Sequence, residues 1–301
     1  MTDTTIRSGV HLQSVTDVER LERNQWGAWT ILSVDDSLYE PALRNMPDNA
    51  IVVIRQYPTD GLNGWDDPVT TGRQQGNNLV ASIATFQNIS MAVKGKMMRN
   101  VYGQLMNEAI LEHWASNPSK EAYERIAAYQ LTGGRVLHSW NKKWALEVSQ
   151  GWYNGDGPDP QLEGYYGFDL YRQAAQEADA AIVHDYLDDG RALLYWQRHR
   201  MFRPRGYKHS DDPGGVYYIL EKELAGKPIF IAEFNTGSNP DYKESSDGKA
   251  DVDSWRSQLV VLDTRHQVRA VMWFIENTQD PKHQACKMPQ WADKGSSESW
   301  Q

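Results

Sequence analysis

Two glutamates frame the chemistry open to this chain. Glu108 follows the apolar run 101–106 and Asn107, and Glu233 follows the apolar run 228–232, 125 residues further on. Carboxyl groups arranged as a pair suit a reaction in which one, held protonated, gives its proton to a leaving oxygen. The other, held ionised, attacks the reacting carbon or activates a water, as in cleavage of a glycosidic bond. Each signal differs in weight. An Asn-Glu pair is usually a turn or a helix cap, whereas a charge ending an apolar strand is costly unless it is used or paired. On the residues alone, which glutamate takes which part stays open, because the environment that separates their proton affinities is not written in the local sequence.

The elements that must position them are legible as an alternation. Short β-rich apolar runs occur at 9–12, 29–34, 50–57, 101–106, 144–148, 181–186, 228–234 and 268–275. Stretches with helical spacing lie between them at 18–24, 38–45, 77–89, 120–131, 168–178, 215–224 and 251–264. Asn117-Pro118-Ser119 marks a helix start, and Gly133-Gly134 and Ala225-Gly226 read as helix stops. Strands that alternate with helices run parallel, since each crossover consumes a helix, and eight of them make a closed barrel. The expected fold class is therefore α/β, a single (β/α)₈ barrel over residues 1–301, with 288–301 as an irregular C-terminal tail. The rival, a doubly wound open sheet, normally carries a Gly-rich phosphate loop after an early strand, and no G-x-G-x-x-G or P-loop pattern occurs. In a parallel barrel the active-site groups sit at the C-terminal ends of the strands. Glu108 then ends strand 4, Glu233 ends strand 7, and both face one mouth.

With these positions the chain resembles clan A of the glycoside hydrolases, the cellulase, mannanase and xylosidase-like retaining barrels, whose signature is Asn-Glu closing strand 4 and Glu closing strand 7. The resemblance implies that Asn107 binds a sugar 2-hydroxyl, Glu108 is the acid/base and Glu233 the nucleophile. It extends to Arg55 at the end of strand 3, in the place of an Arg that steadies the nucleophile. His184-Asp185-Tyr186 on strand 6 is similar to a His-x-Tyr pattern, which brings in His184 and Tyr186 as binding residues, and Trp273 on strand 8 matches the Trp that floors the cleavage subsite. It runs as a pattern from strand 1 to strand 8, with each motif short. One departure is Ala109, where the family frequently has Pro after the acid/base, and this bears on the subfamily rather than the mechanism.

Other strand ends offer further candidates. His11 after strand 1 is placed either to bond a sugar or to sit as a satisfied core histidine. Trp65 and Trp152 lie in loops after strands 3 and 5, where exposed rings make stacking platforms for carbohydrate. Asp35-Asp36 reads better as a solvated turn, and the basic cluster of Arg198, Arg200, Arg203, Arg205 and Lys208 as a solvated face.

Composition limits the partners. A formal net charge of -9 without a basic stripe disfavours nucleic acid, and no apolar run reaches the ~18 residues of a membrane span. Twelve Trp and 15 Tyr against 6 Phe favour a carbohydrate substrate, although core filling accounts for most of those rings. One cysteine, Cys286, excludes an internal disulfide. No H-E-x-x-H, Cys pair, EF-hand loop or G-x-S-x-G elbow occurs, so neither a metal nor a cofactor is expected, and a monomer is favoured. Residues 1–5 lack a basic segment leading into an apolar one, which fits a cytoplasmic protein or a trimmed secreted one. Two rival functions are a carbohydrate-binding barrel without catalysis and a barrel lyase or aldolase. Retention of both glutamates weighs against the first, and the lack of a Schiff-base lysine or metal ligands at strand ends weighs against the second.

Overall fold

A computed structural model describes residues 7–12, 26–32, 36–56, 67–107, 120–148, 166–186, 224, 226–235 and 267–273. Eight parallel strands form a closed barrel in chain order: β1 (Arg7–Leu12), β2 (Ala28–Leu32), β3 (Ile51–Arg55), β4 (Val101–Gln104), β5 (Lys143–Glu147), β6 (Ala180–Tyr186), β7 (Ile229–Asn235) and β8 (Val268–Trp273). The ring closes where β1 pairs with β8, Arg7 beside Ala270 and Val10 beside Trp273. Four α-helices are described: α1 (Tyr39–Asn45), α2 (Pro68–Lys94), α3 (Lys120–Ser139) and α4 (Tyr166–Glu177). The helical stretches expected at 18–24 and 251–264 lie outside the described residues, as does nearly all of 215–224.

Both faces of each strand are covered, which is why β3 reads Ile-Val-Val-Ile before its terminal Arg and is buried throughout. One set of side chains points out to the helices, among them Trp29, Ile31, Val52, Ile54 and Leu146. The alternate set, Ala28, Ile51, Val53, Tyr102, Ala145, Ala180, Ile182, Phe230, Ala232, Ala270 and Met272, fills the barrel. Small alanines offset large rings there, since the lumen of eight strands holds only as much volume as its side chains can pack. The Tyr102 and Phe230 rings meet edge to face at 4.8 Å, so β4 and β7, which are not neighbours in the sheet, touch across the interior.

Two helices differ from the expected bounds for one physical reason. Helix α2 starts at Pro68, capped by the Asp67 side chain on the Thr70 N–H at 3.0 Å, and ends at Gly95 with φ 70°. It runs through Gly72 and Gly76, while α3 runs through Gly133 and Gly134 to Ser139, so Gly133-Gly134 is no stop. These are packing glycines. A Cβ on Gly72 would lie 2.4 Å from the Tyr129 carbonyl oxygen, one on Gly76 2.8 Å from that of Gly133, and one on Gly134 2.2 Å from the Trp144 ring. The helices approach each other and the barrel too closely for side chains at these positions. Helix α3 ends instead at Trp140-Asn141, where Asn141 takes φ 55°.

Candidate active site

Strand parity carries a polar layer to the C-terminal end of the barrel interior. Two residues beyond inward Val53 is Arg55; two beyond Tyr102 is Gln104; two beyond Ala145 is Glu147; two beyond Ala28 is Thr30. On β1, Val10 and Leu12 face the helices, which turns His11 inward. All of these side chains are buried.

Glu233 obeys a different rule. Phe230 and Ala232 both pack inside, so in a regular strand Glu233 would face the helices. The ladder shows why it does not. Against β6, Val183 pairs with Ile231 but His184 pairs with Glu233, and against β8, Ile231 pairs with Val271 but Phe234 with Trp273. Strand β7 therefore carries one extra residue on both sides at this point. Such a bulge bends the strand and re-aims the side chain that follows, here toward the mouth.

There the Glu233 carboxylate accepts a hydrogen bond from the Arg55 guanidinium, which reaches from β3 across to β7. His11 Nδ1 lies 3.9 Å from the same Oε1. Both side chains of the ion pair are nearly dry, at 3% and 4% exposure, so the carboxylate meets its charge partner where water screens it little. A desolvated pair of this kind rests on good geometry, because each charge alone would be costly to bury.

The end of β4 is held in another way. The strand leaves the ladder after Gln104, and the carbonyls of residues 105 and 106 are taken by side chains: Tyr129 Oη of α3 donates to Leu105 O at 2.9 Å, and Gln104 Nε2 donates to Met106 O at 3.0 Å. Asn107, 9% exposed, follows at the rim. Because β4 is short, the backbone of Glu147 on β5 has no strand beside it on that edge. Gln130 of α3 supplies what is missing, donating Nε2 to Glu147 O at 2.9 Å and accepting the Glu147 N–H on Oε1 at 2.9 Å. The Glu147 carboxylate, fully buried, accepts from Gln104 Nε2.

The structure thus brings Arg55, His11 and Glu233 together and sets Asn107 at the same rim. Glu108, Trp65 and Trp152 lie outside the described residues. His184, Tyr186 and Trp273 are in place as backbone, pairing with Glu233, Asn235 and Val10 in turn, while their side chains lie outside the described residues. Sequence reasoning passed over Gln104 and Glu147. The signal was available, since Glu147 is a charge inside the apolar run Trp-Ala-Leu-Glu-Val, the same logic that singles out Glu233.

Two buried tyrosines have displaced titrations. Burial in the barrel, with a smaller push from Asp179, raises Tyr102 to about 12, and burial alone raises Tyr129. Among the described residues no group of three His, Cys, Asp or Glu side chains is placed to hold a metal ion, and no helix is long and apolar enough to cross a membrane.

No family model and no curated protein matches the chain in sequence. Solved structures match it in fold. It is similar to a glycoside hydrolase family 5 enzyme of Prevotella bryantii, in a point mutant complexed with a xyloglucan tetradecasaccharide, at 10% identity and TM-score 0.57, over 99% of this chain and 97% of that one. A family 5 xyloglucanase of Paenibacillus pabuli aligns at 11% identity and TM-score 0.55, over 99% of both chains. The tri-modular endo-β-1,4-glucanase B of Bacillus halodurans aligns at 10% identity and TM-score 0.59, over 99% of this chain and 60% of that one. The chain shares its fold, a closed barrel of eight parallel strands, with these structures.

Proposed function

We propose that the chain is a single catalytic domain that hydrolyses O-glycosidic bonds of a poly- or oligosaccharide with retention, by double displacement. The observation that carries this reading is the desolvated Arg55–Glu233 pair, set at the C-terminal rim by a bulge that turns the glutamate into the mouth. A buried carboxylate paired with a guanidinium is fit to attack an anomeric carbon. Glu233 forms the glycosyl-enzyme bond while Glu108 gives its proton to the departing glycosidic oxygen. Water then attacks the same carbon, Glu108 takes a proton from it, and the Glu233 carboxylate leaves. Asn107 binds the 2-hydroxyl, and His11 backs the nucleophile. His184, Tyr186, Trp273, Trp65 and Trp152 form the sugar-binding walls. No cofactor takes part.

The choice of substrate follows the fold neighbours, whose names refer to xyloglucan and β-1,4-glucan. The test is release of reducing ends from xyloglucan, β-1,4-glucan and β-1,4-mannan by wild type, Glu233→Gln and Glu108→Ala. Hydrolysis of at least one polymer by wild type, reduced about 10³-fold or more in Glu233→Gln, is the expected result. Equal turnover in wild type and both variants removes the assignment.

A further inference from the structure

We propose that Glu147 is a positioning residue for the acid/base: through the Gln104 amide it fixes the tail of β4 that ends in Asn107, the residue before the proposed acid/base. The inference rests on the glycosidase reading above and adds a residue to it.

Glu147 stands where stability alone does not call for a carboxylate. It is fully buried, inward on β5, two residues beyond Ala145 in the apolar layer. A buried ionisable group is expensive, and a well-packed apolar side chain of similar volume in its place is often neutral or stabilising. What the carboxylate does here is local. Residues 105–107 have left the β ladder, so side chains and not strand neighbours set the direction of their peptide planes. Gln104 Nε2 donates to both Met106 O and the Glu147 carboxylate. Two acceptors on one nitrogen fix which end of the amide faces the tail and lock its plane, since the carbonyl end can satisfy neither. Glu147 in turn is immobilised, because Gln130 clamps its backbone on one edge and Val148 N–H donates to Ile182 O at 3.0 Å on the other. Helix α3, strand β5 and the β4 tail are thereby tied together two residues before Glu108. A displacement of order 1 Å at a proton donor is enough to cost about 100-fold in rate.

The expected signature is loss of leaving-group protonation. The probes are the phenyl and 2,4-dinitrophenyl β-glycosides of cellobiose and mannobiose. Bond breaking needs the acid with phenol as leaving group and hardly needs it with dinitrophenol. Glu108→Ala sets the pattern: kcat/KM falls steeply on the phenyl glycoside and little on the dinitrophenyl one. Glu147→Leu and Gln104→Leu are expected to follow it, losing about 10- to 100-fold on phenyl and less than about threefold on dinitrophenyl. Glu147→Gln keeps an acceptor for the Gln104 amide and brings the ratio of the two rates back to within about threefold of wild type. The proposal is overturned by equal losses on both substrates, by no loss on either, by Glu147→Gln behaving like the leucine variant, or by failure of both leucine variants to fold. If wild type cleaves none of the probes or polymers, or Glu108→Ala and Glu233→Gln leave turnover unchanged, the parent reading fails. If those controls behave and the Glu147 variants do not, this inference alone falls.

Discussion

Arg55 at the end of β3 and Glu233 at the end of β7 meet across the barrel mouth, 178 residues apart in the chain and nearly dry. Neither element touches the other in the sheet, so the pair exists only because the barrel closes. Its consequences for stability and catalysis can be separated.

Truncating the guanidinium in Arg55→Met removes the charge that faces the buried Glu233 carboxylate, which costs about 3–5 kcal/mol. The double variant Arg55→Met with Glu233→Gln buries no charge at either position and should regain more than half of that loss. Guanidinium midpoints for the four proteins of the cycle measure the coupling. A single-variant loss below about 1 kcal/mol would show the pair to be weak.

Under the proposed mechanism, Glu108→Ala should accumulate a glycosyl-enzyme from an activated aryl glycoside, and azide should restore its turnover by attacking that intermediate in place of the base-activated water. The product is a glycosyl azide with the anomeric configuration of the substrate. Proton NMR of the product reads this directly, and inverted azide assigns a different role to Glu233.

Helix packing gives a prediction opposite to helix propensity. Alanine is the better helix former by about 1 kcal/mol, yet Gly72→Ala puts a Cβ 2.4 Å from the Tyr129 carbonyl oxygen, a backbone atom that cannot move aside cheaply. It should destabilise by about 3 kcal/mol or more. Gly95→Ala has open space around it but a φ of 70°, and should cost only about 1 kcal/mol. A thermal scan that ranks Gly95→Ala as the more damaging change would contradict the close approach of α2 and α3.

Stability should fall on the alkaline side. An unfolded Tyr102 loses its proton near its ordinary value of 10.0, whereas the folded one keeps it to about 12. Between those values the folded state binds more protons, so stability drops as pH rises through this window and is unaffected below it. Tyr102→Phe retains the ring against Phe230 and removes this titration, so its unfolding midpoint should decline less between about pH 10 and about pH 12. A residual slope is expected from Tyr129, which burial shifts in the same direction. Identical pH slopes for wild type and variant would rule out the buried phenol as the cause.

Much of the architecture was legible in the chain before folding. A period-2 or fully apolar run reports its strand locally, and a period near 3.6 reports its helix, so eight strands in order follow from short windows of residues. The helix bounds were less so. Gly133 and Gly134 look like terminators because glycine's freedom and glycine's lack of bulk are the same letter, and only the neighbour at 2.2 Å shows which of the two is in use. Gln104 and Glu147 were passed over for a similar reason, since a buried polar side chain declares itself through the partner it meets and not through its neighbours in sequence.

By itself the sequence determined the alternation, the count of strands, and which polar residues follow the apolar runs: Arg55, Asn107 and Glu233. Those are short-range properties, encoded in the periodicity of burial. Tertiary structure alone decided that β1 meets β8, that one extra residue in β7 turns Glu233 inward to Arg55, and that Glu147 holds the β4 tail through Gln104. A bulge changes no composition, and a contact across a barrel joins residues too far apart in the chain for any local pattern to betray it; both are settled by closure of the ring, where strands far apart in the chain must share one small, dry interior.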